Sequence, residues 1–159
     1  MTRKAWTILA LLILLISCTQ VQQPPPKPTD GYTIHVAATK HALTAPDLYV
    51  HHYCKGLPNG VMQCQLYDSD KPDARLIGVE MMVPNEVWEK FNETEKKAWH
   101  AHQEELKMVS LIAPGMTEQE TASLKEQLGK THGKVIIWWD PNREYPDSKP
   151  RITDIYGFK

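Results

Sequence analysis

The stretch that decides the fold is Val50-His51-His52-Tyr53-Cys54-Lys55-Gly56-Leu57-Pro58-Asn59-Gly60-Val61-Met62-Gln63-Cys64-Gln65-Leu66-Tyr67. Two β-rich runs, 47–54 and 61–67, flank a turn whose residues each suit one position. Proline fits the first αR position of a three-residue hairpin loop, asparagine the second, and glycine the left-handed position of the accompanying bulge. Such a loop sets Leu57 against Val61, and counting outward sets Cys54 opposite Cys64 and His52 opposite Leu66. Residues two apart share a strand face, so His52, Cys54 and Cys64 project together. A two-residue loop would instead pair Cys54 with Gln63 and separate the cysteines, so the inference rests on the turn.

Outward from the hairpin, residues 75–83 form a third apolar run after the turn-rich Asp68-Ser69-Asp70-Lys71-Pro72-Asp73. Pro84 stops it, and 85–91 reads as a short helix. Residues 93–108 read as one longer helix, with acidic residues early and Lys107 late, as the helix dipole favours. A short strand is expected at 110–113. Thr117-Glu118-Gln119-Glu120 is a capping box opening a helix to about residue 127, and 135–139 is a strand. Residues 32–43 fit a strand or a short helix equally, and the Pro-rich tail after Asp140 reads mostly as loop. Strands with hairpin spacing, broken by separate helices, give an α+β fold: a small, mostly antiparallel sheet with a few helices.

The N-terminus has the three parts of a secretory signal: basic Thr2-Arg3-Lys4, an apolar run over 5–16, and Leu15-Ile16-Ser17-Cys18. The run is short of the roughly 20 residues that span a bilayer. Its closing tetrapeptide resembles the lipobox of bacterial lipoproteins, which implies cleavage before Cys18 and lipidation of that thiol. The expected division is a signal peptide at 1–17, a Pro/Gln-rich tether at 18–31 centred on Pro24-Pro25-Pro26-Lys27-Pro28, and one domain at 32–159. Acyl chains contribute roughly 0.8 kcal/mol per buried methylene, so a multiply acylated cysteine is a stable anchor. Thr19, a residue other than Asp after the cysteine, directs a diderm lipoprotein to the outer membrane, facing the periplasm. The expected partner of the N-terminus is therefore the envelope membrane.

The chain has 18 basic and 19 acidic residues and carries no basic run of the kind that binds nucleic acid. Phosphate-loop, nucleophile-elbow, HExxH and dinucleotide-turn motifs are absent. The chemistry-bearing residues are then few. Cys54 and Cys64, an even pair in an exported domain, default to a disulfide; the alternative is that with His52 they form a zinc or copper site. Trp99-His100-Ala101-His102 adds two histidines. On a strand both would point one way. On the expected helix they lie about 200° apart, so only one joins a given site; Trp99, His102 and Leu106 then share a stripe and His100 faces elsewhere. Glu80, inside an apolar run, needs a partner if it is buried, and a metal or a histidine would serve.

His52-Tyr53-Cys54, Gln63-Cys64, Tyr67-Asp68-Ser69-Asp70-Lys71-Pro72, Ala74-Arg75-Leu76-Ile77-Gly78-Val79-Glu80, Trp99-His100-x-His102, Pro114-Gly115 and Gly129-Lys130-Thr131-x-Gly133-Lys134 follow one another in this chain. Together they resemble the oil body-associated protein family of plant seeds, over roughly 52–139. The resemblance implies association with lipid droplets and brings no established reaction or catalytic residue. Plant members lack a lipoprotein signal, and their histidine-containing segment ahead of His-Tyr-Cys is poorly matched, with His35 and His41 both off register. Family members on the reducing cytosolic side carry the same two cysteines, which strengthens the metal-site reading beside the disulfide. Two function classes follow. One is a lipid-anchored binding or structural protein that handles lipid or a small apolar ligand. The other is a metal-dependent enzyme in which His52, Cys54, Cys64, His100 or His102, and Glu80 hold an ion whose bound water acts as base or nucleophile. A protein-interaction module of the envelope is a third.

Overall fold

The computed structural model describes residues 27–154 and 157–158. The signal peptide expected over 1–17, Cys18 and the expected tether up to residue 26 lie outside the described residues. No helix among the described residues is long and apolar enough to cross a membrane.

The strands, in chain order, are β1 (Ile34–Ala38), β2 (Val50–Gly56), β3 (Met62–Tyr67), β4 (Leu76–Pro84), β5 (His100–Ala101), β6 (Leu111–Ile112), β7 (Thr131–Ile137), β8 (Arg151–Asp154) and β9 (Gly157–Phe158). The helices are short: α1 (Asn85–Trp88), α2 (Glu93–Lys96), α3 (His102–Glu105) and the longer α4 (Glu118–Leu128). All strands join one curled antiparallel sheet in the order β6-β1-β2-β3-β4-β7-β8-β9, with β5 also on β7. The α+β class read from the sequence is the one observed.

The β2–β3 hairpin has the three-residue turn. Leu57 N–H donates to Val61 O at 2.7 Å and Gly60 N–H to Leu57 O at 3.1 Å. Gly60 sits at φ +76°, a region glycine enters without steric cost. The register follows: His52 faces Leu66 and Cys54 faces Cys64. Alternation then decides burial. Val50, His52 and Cys54 turn inward with Cys64 and Leu66, while His51, Tyr53 and Gln65 lie on the opposite face. On β4 the same inner face carries Glu80 and Met82, with Glu80 directly beside Cys64 on one side and Val135 of β7 on the other.

Two apolar clusters stand on this face. Val50, Leu66, Ile77 and Val135 gather with Ala42 at one end, and Cys54, Cys64, Met82 and Leu128 at the other. Thr117 caps α4 with the reciprocal bonds of the capping box, its hydroxyl and amide both meeting Glu120, and Leu124 and Leu128 of this helix cover the second cluster.

One expectation is corrected. The single helix over 93–108 is broken into α2, β5 and α3, because His100 and Ala101 pair with Gly133 and His132 of β7. The sheet supplies hydrogen bonds and burial that outweigh local helix preference. Among the described residues the tail after Asp140 is mostly loop, as expected, and β8 adds to β7, aligning Thr153 with Val135. The open choice over 32–43 resolves as β1 followed by a turn in which Lys40 takes φ +69°. Of the tether, residues 27–31 turn back on β2, where Lys55 Nζ bonds to the carbonyl oxygens of Pro28 and Asp30.

Candidate metal centre

Six titratable side chains, each no more than 5% exposed, meet on the inner face: His41, His52, Glu80, His100, His102 and Glu105. Each arrives by a different local device. His52 and Glu80 alternate inward on β2 and β4. His100 comes from β5, which β7 holds in place. His102 and Glu105 stand three apart on α3, hence on one face of that turn. His41 is returned over the sheet by the left-handed residue before it. Gly133 makes room: a Cβ there would run into Glu80 Oε1 and lie 2.7 Å from His102 Nε2 and 2.8 Å from His100 Cε1.

The hydrogen bonds assign the imidazole tautomers. His52 Nδ1 lies 2.9 Å from Val50 O and His41 Nδ1 lies 3.2 Å from Thr39 O. Both partners are carbonyl oxygens, which only accept, so each Nδ1 carries hydrogen. The Thr131 hydroxyl donates to Leu128 O at 2.7 Å, so its oxygen accepts from His102 Nδ1, also at 2.7 Å. Three histidines therefore have Nδ1–H tied to an acceptor and Nε2 turned inward, the arrangement in which proteins present imidazole to a metal.

Carboxylate oxygens meet these Nε2 atoms. Glu80 Oε1 is 3.0 Å from His102 Nε2 and 3.7 Å from His100 Nε2. Glu105 Oε2 is 3.3 Å from His100 Nε2 and 3.5 Å from His102 Nε2. The other oxygens face the other pair: Glu105 Oε1 is 2.8 Å from His41 Nε2, and Glu80 Oε2 is 3.5 Å from His52 Nε2. Neither ring nitrogen of His100, nor Glu105 Oε1, makes a well-aligned hydrogen bond despite full burial; the short Glu105–His41 contact is an ion pair whose direction is off.

The electrostatics divide the cluster. Burial disfavours charge on His41, but the Glu105 carboxylate lifts it to about 9. Burial, with His41 beside it, pushes His52 down to about 4. His102 is raised by Glu80 against the cost of burial. Burial would raise Glu80 and Glu105, yet His102 holds Glu80 down at about 2, and His41 and His100 hold Glu105 well below the ordinary carboxylate range. A neutral His52 thus directs a bare Nε2 lone pair at the Glu80 carboxylate, two acceptors with no proton between them.

The donor set is one that could hold a metal ion. Three overlapping triads can hold an ion: His41 with His52 and Glu80, His41 with His100 and Glu105, and Glu80 with His100 and His102. Of the residues singled out in the sequence, the fold brings His52, Glu80, His100 and His102 together. The expectation that only one of His100 and His102 could join a site is overturned, because the break at β5 removes the helix that kept them apart. Cys54 and Cys64 adjoin the cluster but are bonded to each other, S–S 2.01 Å. His41 and Glu105 were missed. His41 lies in a turn without pattern. Glu105, three residues after His102 in a region read as helix, was the available signal.

The signature described as "Protein of unknown function (DUF1264)" matches residues 26–154. The chain belongs to the DUF1264 family. Among curated relatives it is similar to Oil body-associated protein 2B of Zea mays, 39% identical over 110 residues, 67% of this chain and 44% of that protein. Oil body-associated protein 1B of Arabidopsis thaliana is 33% identical over 110 residues, 68% and 46% of the two chains. Oil body-associated protein 2B of the same plant is 30% identical over 119 residues, 74% and 48%. The chain thus spans less than half the length of these relatives. No solved structure matches it.

Proposed function

We propose that this DUF1264 domain is a metal-binding protein held at the cell envelope through lipid on Cys18. The observation that carries the metal reading is the triad of Glu80, His100 and His102, whose ligand atoms lie within 4.8 Å of one another, with Glu105 Oε2 3.3 Å from His100 Nε2 and 3.5 Å from His102 Nε2. Glu80 Oε1 lies 3.0 Å from His102 Nε2 and 3.7 Å from His100 Nε2, on either side of the ~3.3 Å edge of a tetrahedron with metal–ligand bonds near 2.05 Å. An ion there satisfies the orphaned His100 Nε2. With neutral imidazoles, a divalent charge also balances the two carboxylates, which removes the cost of burying them. The two cysteines being joined, the donors are nitrogen and oxygen, which suits zinc, and copper in its divalent state.

The anchor rests on the basic start, apolar run and Leu15-Ile16-Ser17-Cys18, and the lipid setting on the relatives' names. The domain's role in this reading is binding or structural at a lipid surface. A second reading, a metal-dependent enzyme, is favoured by a cavity of about 30 Å³ where His41, His52, Glu80, His102 and Glu105 meet apolar side chains that include Met82, Leu106 and Leu128. It has room for a water-sized group, which an ion could activate.

The test is elemental analysis of the full chain purified in detergent, before and after chelation and reloading with Zn²⁺. At least one equivalent, removed by chelator and regained, is expected. A chain that is metal-free in every preparation and takes up no added Zn²⁺ or Cu²⁺ would overturn the metal reading. The anchor is tested separately by labelling cells with a fatty-acid analogue: label is expected on the wild type and absent from Cys18→Ser, and an unlabelled wild type overturns it.

A further inference from the structure

Resting on that reading, we infer that the cluster is built for two metal ions bridged by Glu80 and Glu105, not for one.

The carboxylates are shared between two histidine pairs. Glu80 turns Oε1 to His102 and His100, and Oε2 to His52. Glu105 turns Oε2 to His100 and His102, and Oε1 to His41. Each carboxylate therefore has one oxygen per pair, the disposition of a ligand that bridges two ions. The rings group accordingly: His41 and His52 have centroids 4.7 Å apart and His100 and His102 5.0 Å, while His41 and His100 are 6.4 Å apart.

A single ion between His100 and His102 leaves His52 unexplained. Its Nδ1–H is fixed on Val50 O, which leaves Nε2 as its inward-facing ligand atom, 3.5 Å from Glu80 Oε2 and outside the His100–His102 pair. His41, His52 and Glu80 are close enough to share a second ion, and Glu105 Oε1 lies 2.8 Å from the His41 Nε2 of that group.

Charge then calls for a further anion. Two divalent ions against two carboxylates leave the site positive, and a bridging hydroxide reduces this. The cavity of about 30 Å³ is lined by residues of both pairs and has the volume of one such group. Paired divalent ions about 3.5–4 Å apart, sharing carboxylates and a solvent oxygen, are a standard arrangement for activating water. Nitrogen and oxygen donors suit Zn²⁺ and Cu²⁺, and also Mn²⁺ and Fe²⁺.

The experiment is the stoichiometry of the full chain in detergent, chelated and then dialysed against Zn²⁺, with a parallel Mn²⁺-loaded sample examined by electron paramagnetic resonance. Two zinc ions per chain and a spin-coupled manganese pair are expected. The His52→Gln variant, which loses a donor of the second ion only, should hold one zinc and give an uncoupled manganese signal. One zinc per wild-type chain, or an uncoupled signal at full loading, overturns the bridged pair and leaves the single-ion reading standing. No uptake overturns both. Two ions retained in both His52→Gln and His41→Gln overturn the ligand assignment.

Discussion

Gly133 on β7 lies so close to the Glu80 carboxylate on β4 that a methyl group at its Cα would overlap Oε1. The carboxylate occupies the space a side chain would fill, with His100 and His102 closing over it from β5 and α3. A glycine inside a strand weakens it locally, so its presence here is explained by the close approach it permits.

Gly133→Ala should therefore displace Glu80 or His102 rather than merely stiffen β7. We expect a loss of about 1–3 kcal/mol from overpacking, together with loss of bound metal. Denaturant melts paired with elemental analysis check both. An alanine variant of unchanged stability and metal content would show that the cluster is looser than described.

Thr131→Val removes the oxygen that accepts from His102 Nδ1 while keeping the side-chain shape. Outer partners of this kind commonly contribute 10–100-fold in metal affinity. Competition with a chromophoric chelator should show a weakening in that range with the fold intact, and an unchanged affinity would place His102 outside the ligand set.

Cys54→Ala with Cys64→Ala tests the other reading of the cysteines. The bond closes a loop of sequence separation 10, so chain-entropy arguments give a loss of about 2–3 kcal/mol. Thermal or urea melting measures it. Metal content should stay at the wild-type value, since neither sulfur belongs to the cluster; metal lost in step with the thiols would restore the His52–Cys54–Cys64 site.

In the metal-free chain, stability should depend on pH through His41. Its folded value of about 9 lies above the ordinary 6.5. The stabilisation is therefore full below pH 6.5 and is lost as pH rises through 9, on the order of 3 kcal/mol in all. Glu80 works in the opposite sense: held at about 2, it contributes above pH 4.5 and that contribution is lost as pH falls towards 2. Metal loading replaces the His41 proton and should flatten the alkaline limb. Urea midpoints from pH 6 to 10, with and without Zn²⁺, read the difference.

Much of the fold was legible because it is written in local chemistry. Pro58, Asn59 and Gly60 specify one turn, the turn sets the register, and strand alternation then points His52, Cys54 and Cys64 inward and His51 and Tyr53 outward. Thr117 and Glu120 specify the start of α4 in the same way. These are interactions between residues a few positions apart, so the sequence alone determines them, together with the antiparallel class and the lipobox-like pattern ending at Cys18.

The site was only half legible. Residues 93–108 have good local helix preference, and nothing within them says that His100 and Ala101 will leave it. That choice belongs to Gly133 and His132, which lie more than thirty positions away in sequence. Pairing with β7 breaks the helix, turns His100 and His102 towards the same carboxylates, and leaves Glu105 one turn behind to meet them. His41 joins only because the chain reverses at Lys40 to lie over β2. The identity of the ligands thus rests on contacts between distant segments, where burial outweighs local preference, and only the tertiary structure decided it.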